Sequence, residues 1–326
     1  MPPHRSAVDW AQIAERVTFV PHQHASLTID SNQAMDMLRC SDNDLGALIT
    51  AGLPHATTPD TVLFDPCDLY NLGTYSNAGN TQPELAFKML FRFMTAAPAS
   101  LTTRREWSFR ITATCQACMD RDSDHEWRIA APATERFGGS SADVELTTNH
   151  ASASLKAVVT NGGRTTPIVS DTVRRITAEF LDSGLRWQML PAPMQIEFEA
   201  VHRLGVTNCI SASLALAHTI QNVGYLAVAR RGWFCGVLGG IMDLPHAWVE
   251  VIDDDGVTKA IDIATALLSL KVPHSQQFRD LCLGTPFNRV ITSNTAADRP
   301  LATHACADPA GAVGVVTDIR AHKPDG

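Results

Sequence analysis

The stretch GVTNCISASLALAHTIQNVGY sets one cysteine, Cys209, directly ahead of apolar residues at helical spacing. Ile210, Leu214, Ala217, Ile220 and Val223 fall on one side, and Gly224 supplies the stop. Cys209 is therefore expected in the first turn of a helix. A thiolate, not a thiol, attacks a carbonyl carbon, and the positive end of a helix stabilises that anion. The backbone N–H groups there can also hold a tetrahedral oxyanion. Further along, LPHAWVEVIDDDGVTKAIDIAT adds a histidine and an aspartate. Alternation in HAWVEVI puts His246, Trp248 and Glu250 on one face and Ala247, Val249 and Val251 on the other. DDDG reads as a turn, and KAIDIA as a returning strand with Asp262 between Ile261 and Ile263. An antiparallel pair would bring Asp262 near the line of His246. Thiol, imidazole and carboxylate are the groups that acyl transfer through a thioester requires.

Each residue alone has a plain structural explanation. A cysteine on an apolar helix is ordinarily a small core residue, and HAWVEVI reads equally well as a half-buried strand. Joint occurrence, in this order and setting, favours a site. Trp233 and Trp248 flank it as candidate substrate contacts, cleft walls or core, while His202 and His218 read as solvated or packed helix residues. Upstream, SDTVRRITAEFLDSGLRW is an amphipathic helix started by Ser170 or Asp171, with Val173, Ile176, Phe180 and Leu181 on one face. YLAVARRGWFCGVL supplies two strand-like pieces between the cysteine helix and the histidine strand.

The order of a cysteine at a helix start, then histidine and aspartate on adjacent strands, resembles the transglutaminase-like, papain-related cysteine enzyme superfamily. The segments GVTNCISASLALAHTIQNVGYLAVARRGWFCG, HAWVEV and KAIDIAT carry that resemblance over about residues 165 to 270. It implies an α+β fold in which the nucleophile's helix packs on an antiparallel sheet. It also implies Cys209 as nucleophile, His246 as proton carrier and Asp262 as its orienting carboxylate, with no cofactor and no metal requirement. The substrate would be a peptide, an amide or a carrier-bound acyl group, and the acceptor either water or an amine.

Ahead of this core, SNQAMDMLRCSDNDLGALITAGLPHA reads as two short helices, the second opened by Ser41 with Asp44. With the following VLFDPCDLYNLGTY it resembles a winged helix-turn-helix of the MerR or excisionase type over about residues 25 to 75. The charge opposes the usual use of that module. Residues 1 to 75 hold three arginines, no lysine and nine acids, a net charge of −6, and DNDLGALITAG offers two aspartates and no base. Phosphate contacts dominate affinity for DNA, so an acidic reading head is repelled. Docking of a protein or a carrier-bound substrate is the expectation kept for it. A non-enzymatic DNA-binding or regulatory protein on an inactive transglutaminase-like scaffold is the competing one.

Between the two lies a connector, TYSNAGNTQ, an apolar helix in PELAFKMLFRFMTAA, and strand-like runs in SFRITATCQ, EWRIAAPA, ADVELTTN and SLKAVVTN. These predict a small antiparallel β unit over about residues 105 to 165. Its Cys115 and Cys118 form a CxxC pair that could be half of a zinc site, with His304 and Cys306 as distant partners. The expected domains are 1–75 (acidic helix-turn-helix-like module), 76–165 (helix plus β unit) and 166–326 (catalytic domain).

Composition limits the classes that remain. Across 326 residues, 45% are hydrophobic and 18% charged, which suits a globular protein with a sizeable core. A net charge of −8 gives no general attraction to nucleic acid or anionic membranes. The first residues lack a signal-peptide apolar core, and no run reaches the ~18 apolar residues of a membrane span. Eight cysteines scattered over so long a chain read as reduced thiols, consistent with a cytoplasmic protein.

Overall fold

The computed structural model describes residues 8–118, 126–162, 165–234, 244–305 and 313–321. The chain divides into two compact units rather than the three expected segments. One holds Met1–Arg92 with Gly184–Asn208, the other Phe93–Ser183 with Cys209–Gly326.

In the first unit, helices Ser31–Leu38 and Asp42–Thr50 are each opened by a capping box, from Asp30 with Gln33 and from Ser41 with Asp44. A three-stranded antiparallel sheet follows, ordered 29–30, 62–64, 55–57. Helix Pro66–Tyr75 then starts from Asp65, whose carboxylate accepts the N–H groups of Cys67 and Asp68. Trp10, Ile13, Leu38, Leu48, Phe64 and Leu72 share the core under these elements. Segment 184–208 belongs here for a physical reason. Its Leu190, Met194, Val201 and Val206 cluster with Val20, and Asn71 clamps Met189 through both its amide oxygen (2.7 Å) and its amide nitrogen (2.9 Å). The Tyr75 hydroxyl also donates to the Trp187 carbonyl. Buried apolar side chains on a short excursion hold it to the surface that covers them, wherever the sequence resumes.

The second unit contains two antiparallel sheets on one core. Strands β1 (Arg105–Cys115), β2 (Trp127–Ile129), β3 (Ser140–Thr148) and β4 (Ser152–Asn161) come first, as the alternating runs predict. Helix α1 (Asp171–Leu181) is capped by Ser170, and helix α2 spans Cys209–Asn222. Strands β5 (Ala227–Phe234), β6 (Leu244–Ile252) and β7 (Thr258–Ile261) lead into helix α3 (Ile263–Ser269) and helix α4 (Gln276–Cys282). Strands β8 (Leu283–Gly284), β9 (Val290–Ala296), β10 (Ala302–His304) and β11 (Val313–Ala321) complete the unit.

The larger sheet runs β8-β7-β6-β5-β9, and the other runs β11-β1-β4-β3. The chain's end therefore supplies an edge strand to the β unit, which is not confined to residues 105–165. Strand β2 lies outside that sheet and pairs with β10. Trp107, Phe109, Ile111, Leu155 and Val159 from one sheet meet Trp233 and Ile291 from the other in a single cluster. At ~1.5–3 kcal/mol for each large apolar side chain removed from water, that shared core is why the β unit and the larger sheet fold as one body.

Three local expectations change. YLAVARRGWF forms one strand rather than two pieces, and Cys235 onward to residue 243 lies outside the described residues. KAIDIA does not continue as a strand: β7 ends at Ile261, and Asp262 caps α3 by accepting the Thr265 N–H at 3.1 Å. A carboxylate that caps a helix favours that helix over another strand residue. HAWVEVI is buried on both faces, with Ala247, Trp248, Val249, Glu250 and Val251 at 5% exposure or less, because β6 sits in the middle of its sheet.

Candidate functional site

Helix α2 packs on β5 and β6 and begins at Cys209, which is half-buried. His246 lies near the start of β6, opposite Gly232 of β5. Asp262 follows β7, which is in register with β6 from Val249↔Ile261 to Ile252↔Thr258. The structure brings these three together. The His246 Nε2 lies 2.7 Å from Asp262 Oδ2, and Cys209 is near enough to be among the groups that raise the ring's pKa. Both Asp262 oxygens are engaged: Oδ1 holds the helix cap while Oδ2 holds the imidazole. The cap thus fixes the rotamer that aims the carboxylate.

The electrostatics of this trio set the state of the ring. Burial opposes an imidazolium, but the charge and hydrogen bond of Asp262, joined by those of Cys209, outweigh it and push His246 up to about 10. These attractions favour the protonated ring and so its acceptance of a proton. Two further groups hold it. Thr265 Oγ1 approaches Nε2 at 3.3 Å, and Phe234 presents its ring edge-on with centroids 5.8 Å apart.

Sequence reasoning missed Thr265, Phe234 and Arg231. Thr265 becomes recognisable only once Asp262, three residues earlier, is seen to cap α3. Arg231 had no signal, because only folding brings β5 to the start of α2. Burial lowers Arg231 from the ordinary guanidinium range, and the nearby Cys209 charge offsets that in part. Its Nη1 donates to the Arg299 carbonyl at 3.1 Å, while Nε is buried with no hydrogen-bond partner among the described residues. An open groove of about 420 Å³ runs past Arg231 and Pro245 to Pro300, Leu301 and His304.

Of the alternatives open for Trp233 and Trp248, the structure fits core. They are 0% and 1% exposed, Trp233 packed edge-on against Phe109 and Trp248 lodged over Gly232, so neither ring has a surface for a substrate. Glu250, on the His246 face by alternation, is instead an anchor. It pairs with Arg136 at 2.9 Å and Arg230 at 3.2 Å, tying the β unit to β6. Burial raises its pKa and the two guanidinium groups counter that.

The turn aspartates are also structural. Asp253 accepts the Val169 and Ser170 N–H groups at 2.6 and 3.1 Å, Asp254 accepts from the Tyr225 hydroxyl at 2.9 Å, and Asp255 pairs with Lys259 at 2.6 Å. Of the other histidines weighed, His202 is lowered by burial and meets Thr207 Oγ1 at 3.2 Å within the first unit. Cys115 and Cys118 are brought together with His304, whereas Cys306 lies outside the described residues.

No protein-family model and no curated protein matches the chain. Among solved structures it is similar to a candidate cysteine protease from Cytophaga hutchinsonii, at 10% identity and a TM-score of 0.34, over 68% of this chain and 92% of that one. The chain itself is α+β with several antiparallel sheets. Among the described residues no helix is long and apolar enough to cross a membrane.

Proposed function

We propose that this chain is a thiol acyl-transfer enzyme acting on an amide or thioester through Cys209, His246 and Asp262. The observation that carries the reading is a histidine held by a carboxylate at 2.7 Å and raised in part by a thiol at the start of a helix. Each group has a role that its surroundings favour. The Cys209 proton passes to the ring, and the resulting thiolate and imidazolium stabilise one another beside the helix N-terminus.

The sulfur then attacks the acyl carbonyl, and the carbonyl electron pair moves to oxygen, where the backbone N–H of Cys209 can donate to it. Collapse of that intermediate expels the amine or thiol, which leaves with the proton carried by His246. A thioester remains on Cys209. Water or an amine, deprotonated by the now neutral ring, attacks it and releases the product and the thiol. Asp262 acts through the ring alone, keeping its plane and favouring its charged form.

Arg231 of β5 lies near enough to feel the Cys209 charge and lines the neighbouring groove, so a donor with a carboxylate lying in that groove would find a cation there. The groove past Pro245 offers room for an extended chain. A cytoplasmic enzyme whose acidic first unit docks a partner or a carried acyl group fits the charge of that unit.

Incubation of the full chain with a panel of peptide amides and acyl thioesters, followed by intact and peptide mass measurement, tests the proposal. It predicts an acyl adduct on Cys209 that hydroxylamine removes and that Cys209→Ser abolishes. Adducts spread evenly over several cysteines would contradict it. An amine added in competition with water then names the acceptor.

A further inference from the structure

Away from the Cys209 centre, a second cluster of soft ligands closes one end of the second unit. Strand β1 ends at Cys115, and a single 3-10 turn, Gln116–Cys118, brings Cys118 back beside it. His304 ends β10, in register with Trp127 of β2. The two sulfurs and a ring nitrogen of His304 all lie within 4.8 Å of one another, with Cys118 Sγ 3.9 Å from His304 Nδ1.

A tetrahedral zinc ion with Zn–S of ~2.3 Å and Zn–N of ~2.0–2.1 Å needs ligand atoms roughly 3.5–3.8 Å apart. The Cys118 to His304 separation needs to contract by about 0.3 Å and the widest separation by roughly 1.3 Å at most to meet that geometry. We propose that Cys115, Cys118 and His304 bind a zinc ion, with water completing the tetrahedron.

The surroundings favour this over two isolated thiols. Both cysteines are fully buried in an apolar nest of Ala113, Trp127, Ala153 and Ala302. Buried thiolates need a compensating cation, and a divalent ion supplies one charge for each. The His304 ring is held in plane by Trp127, stacked at 4.0 Å and 19°, and Trp127 is itself fixed by donating to the Asn149 carbonyl at 2.9 Å. A ligand whose ring orientation is set beforehand loses less freedom on binding metal.

The ion would fasten β10 to the end of β1, two strands that belong to different sheets. It would also stiffen one wall of the groove that reaches Arg231 and Pro245, since His304 lines that wall. Zinc here holds structure and takes no part in acyl transfer, so the inference does not depend on the proposed enzyme activity.

The test is metal content and optical titration of the full chain purified without chelator. The inference predicts about one tightly held zinc per chain. Replacement by Co²⁺ should give sulfur-to-metal charge-transfer absorption with tetrahedral d–d bands, and chelation should lower the melting temperature. Cys118→Ser and His304→Ala should each reduce bound zinc at least about tenfold, whereas Cys282→Ser, a buried thiol elsewhere, should retain it. His304 is only half-buried and its replacement is compatible with folding, so failure of a cysteine variant to fold leaves the test intact. Wild-type protein that takes up no zinc in competition with a weak chelator, or that carries a Cys115 to Cys118 disulfide under the same conditions, overturns the inference.

Discussion

Asp262 is the residue on which two structures meet. One oxygen caps α3 and the other holds His246, so a single side chain links helix start and imidazole. Replacement by asparagine separates the two functions, because asparagine caps a helix nearly as well as aspartate but brings no charge. His246 is raised to about 10 in the folded chain, above the ordinary imidazole value of about 6.5. A raised base favours the protonated form in the fold. Its contribution to stability is therefore complete below about pH 6.5 and lost as pH rises through about 10.

In Asp262→Asn the opposing effect of burial prevails and the ring becomes neutral near neutrality. Alkylation of Cys209 at pH 6–8 should fall by roughly 10²–10⁴-fold. The melting temperature difference between the two proteins should narrow as pH approaches about 10. A variant that alkylates as fast as wild type across that range would show that Asp262 is only a helix cap.

At the scale of elements, the strand pair β5 and β6 positions the site through close packing. Gly232 stands opposite His246, and a Cβ there would run into the Trp248 ring and the Ile291 carbonyl. Gly232→Ala should therefore cost ~1–3 kcal/mol in denaturant unfolding as β5 and β6 are pushed apart. Loss of Cys209 reactivity out of proportion to that change would follow, since an offset of about an ångström misaligns thiol and ring. An unchanged unfolding midpoint would show that Trp248 can move without cost.

The element scale also shows why some of the arrangement was legible beforehand and some was not. The start of α2 was written in the spacing of Ile210, Leu214 and Ala217, and the alternation in HAWVEVI marked β6, because local periodicity reports local structure. Asp262 was legible as a neighbour of His246 but not as a cap, since KAIDIA suits a strand until a helix competes for its carboxylate. Trp233 and Trp248 stood beside the right residues and belong to the core. Alternation assigns a face but does not reveal that a central strand is covered on both.

For the whole molecule, chain order is a poor guide to which residues fold together. Nothing local marks 184–208 as returning to the first unit or 313–321 as an edge strand of the β unit, because both depend on partners more than 100 residues away. The consequence can be tested. Truncation of residues 1–75 removes Val20, Asn71 and Tyr75 and leaves Leu190, Met194, Val201 and Val206 without their cover. The truncated protein should bind a hydrophobic dye strongly and self-associate on size exclusion. A monomer with the full chain's melting temperature would mean that 184–208 is held by other contacts. The acidic first unit likewise predicts no steep salt dependence in any DNA binding, since it has few phosphate contacts to lose.

The central claim, an activated thiol at Cys209, meets its most direct test in the rate of Cys209 alkylation by iodoacetamide at pH 6, read residue by residue by mass spectrometry. The thiolate and imidazolium pair predicts that Cys209 reacts at least roughly tenfold faster than Cys40 and Cys67, whose thiols burial pushes up to about 11 and about 12. His246→Ala should abolish that advantage. Reaction of Cys209 no faster than its neighbours in the wild-type chain, or an advantage that survives His246→Ala, would contradict the account.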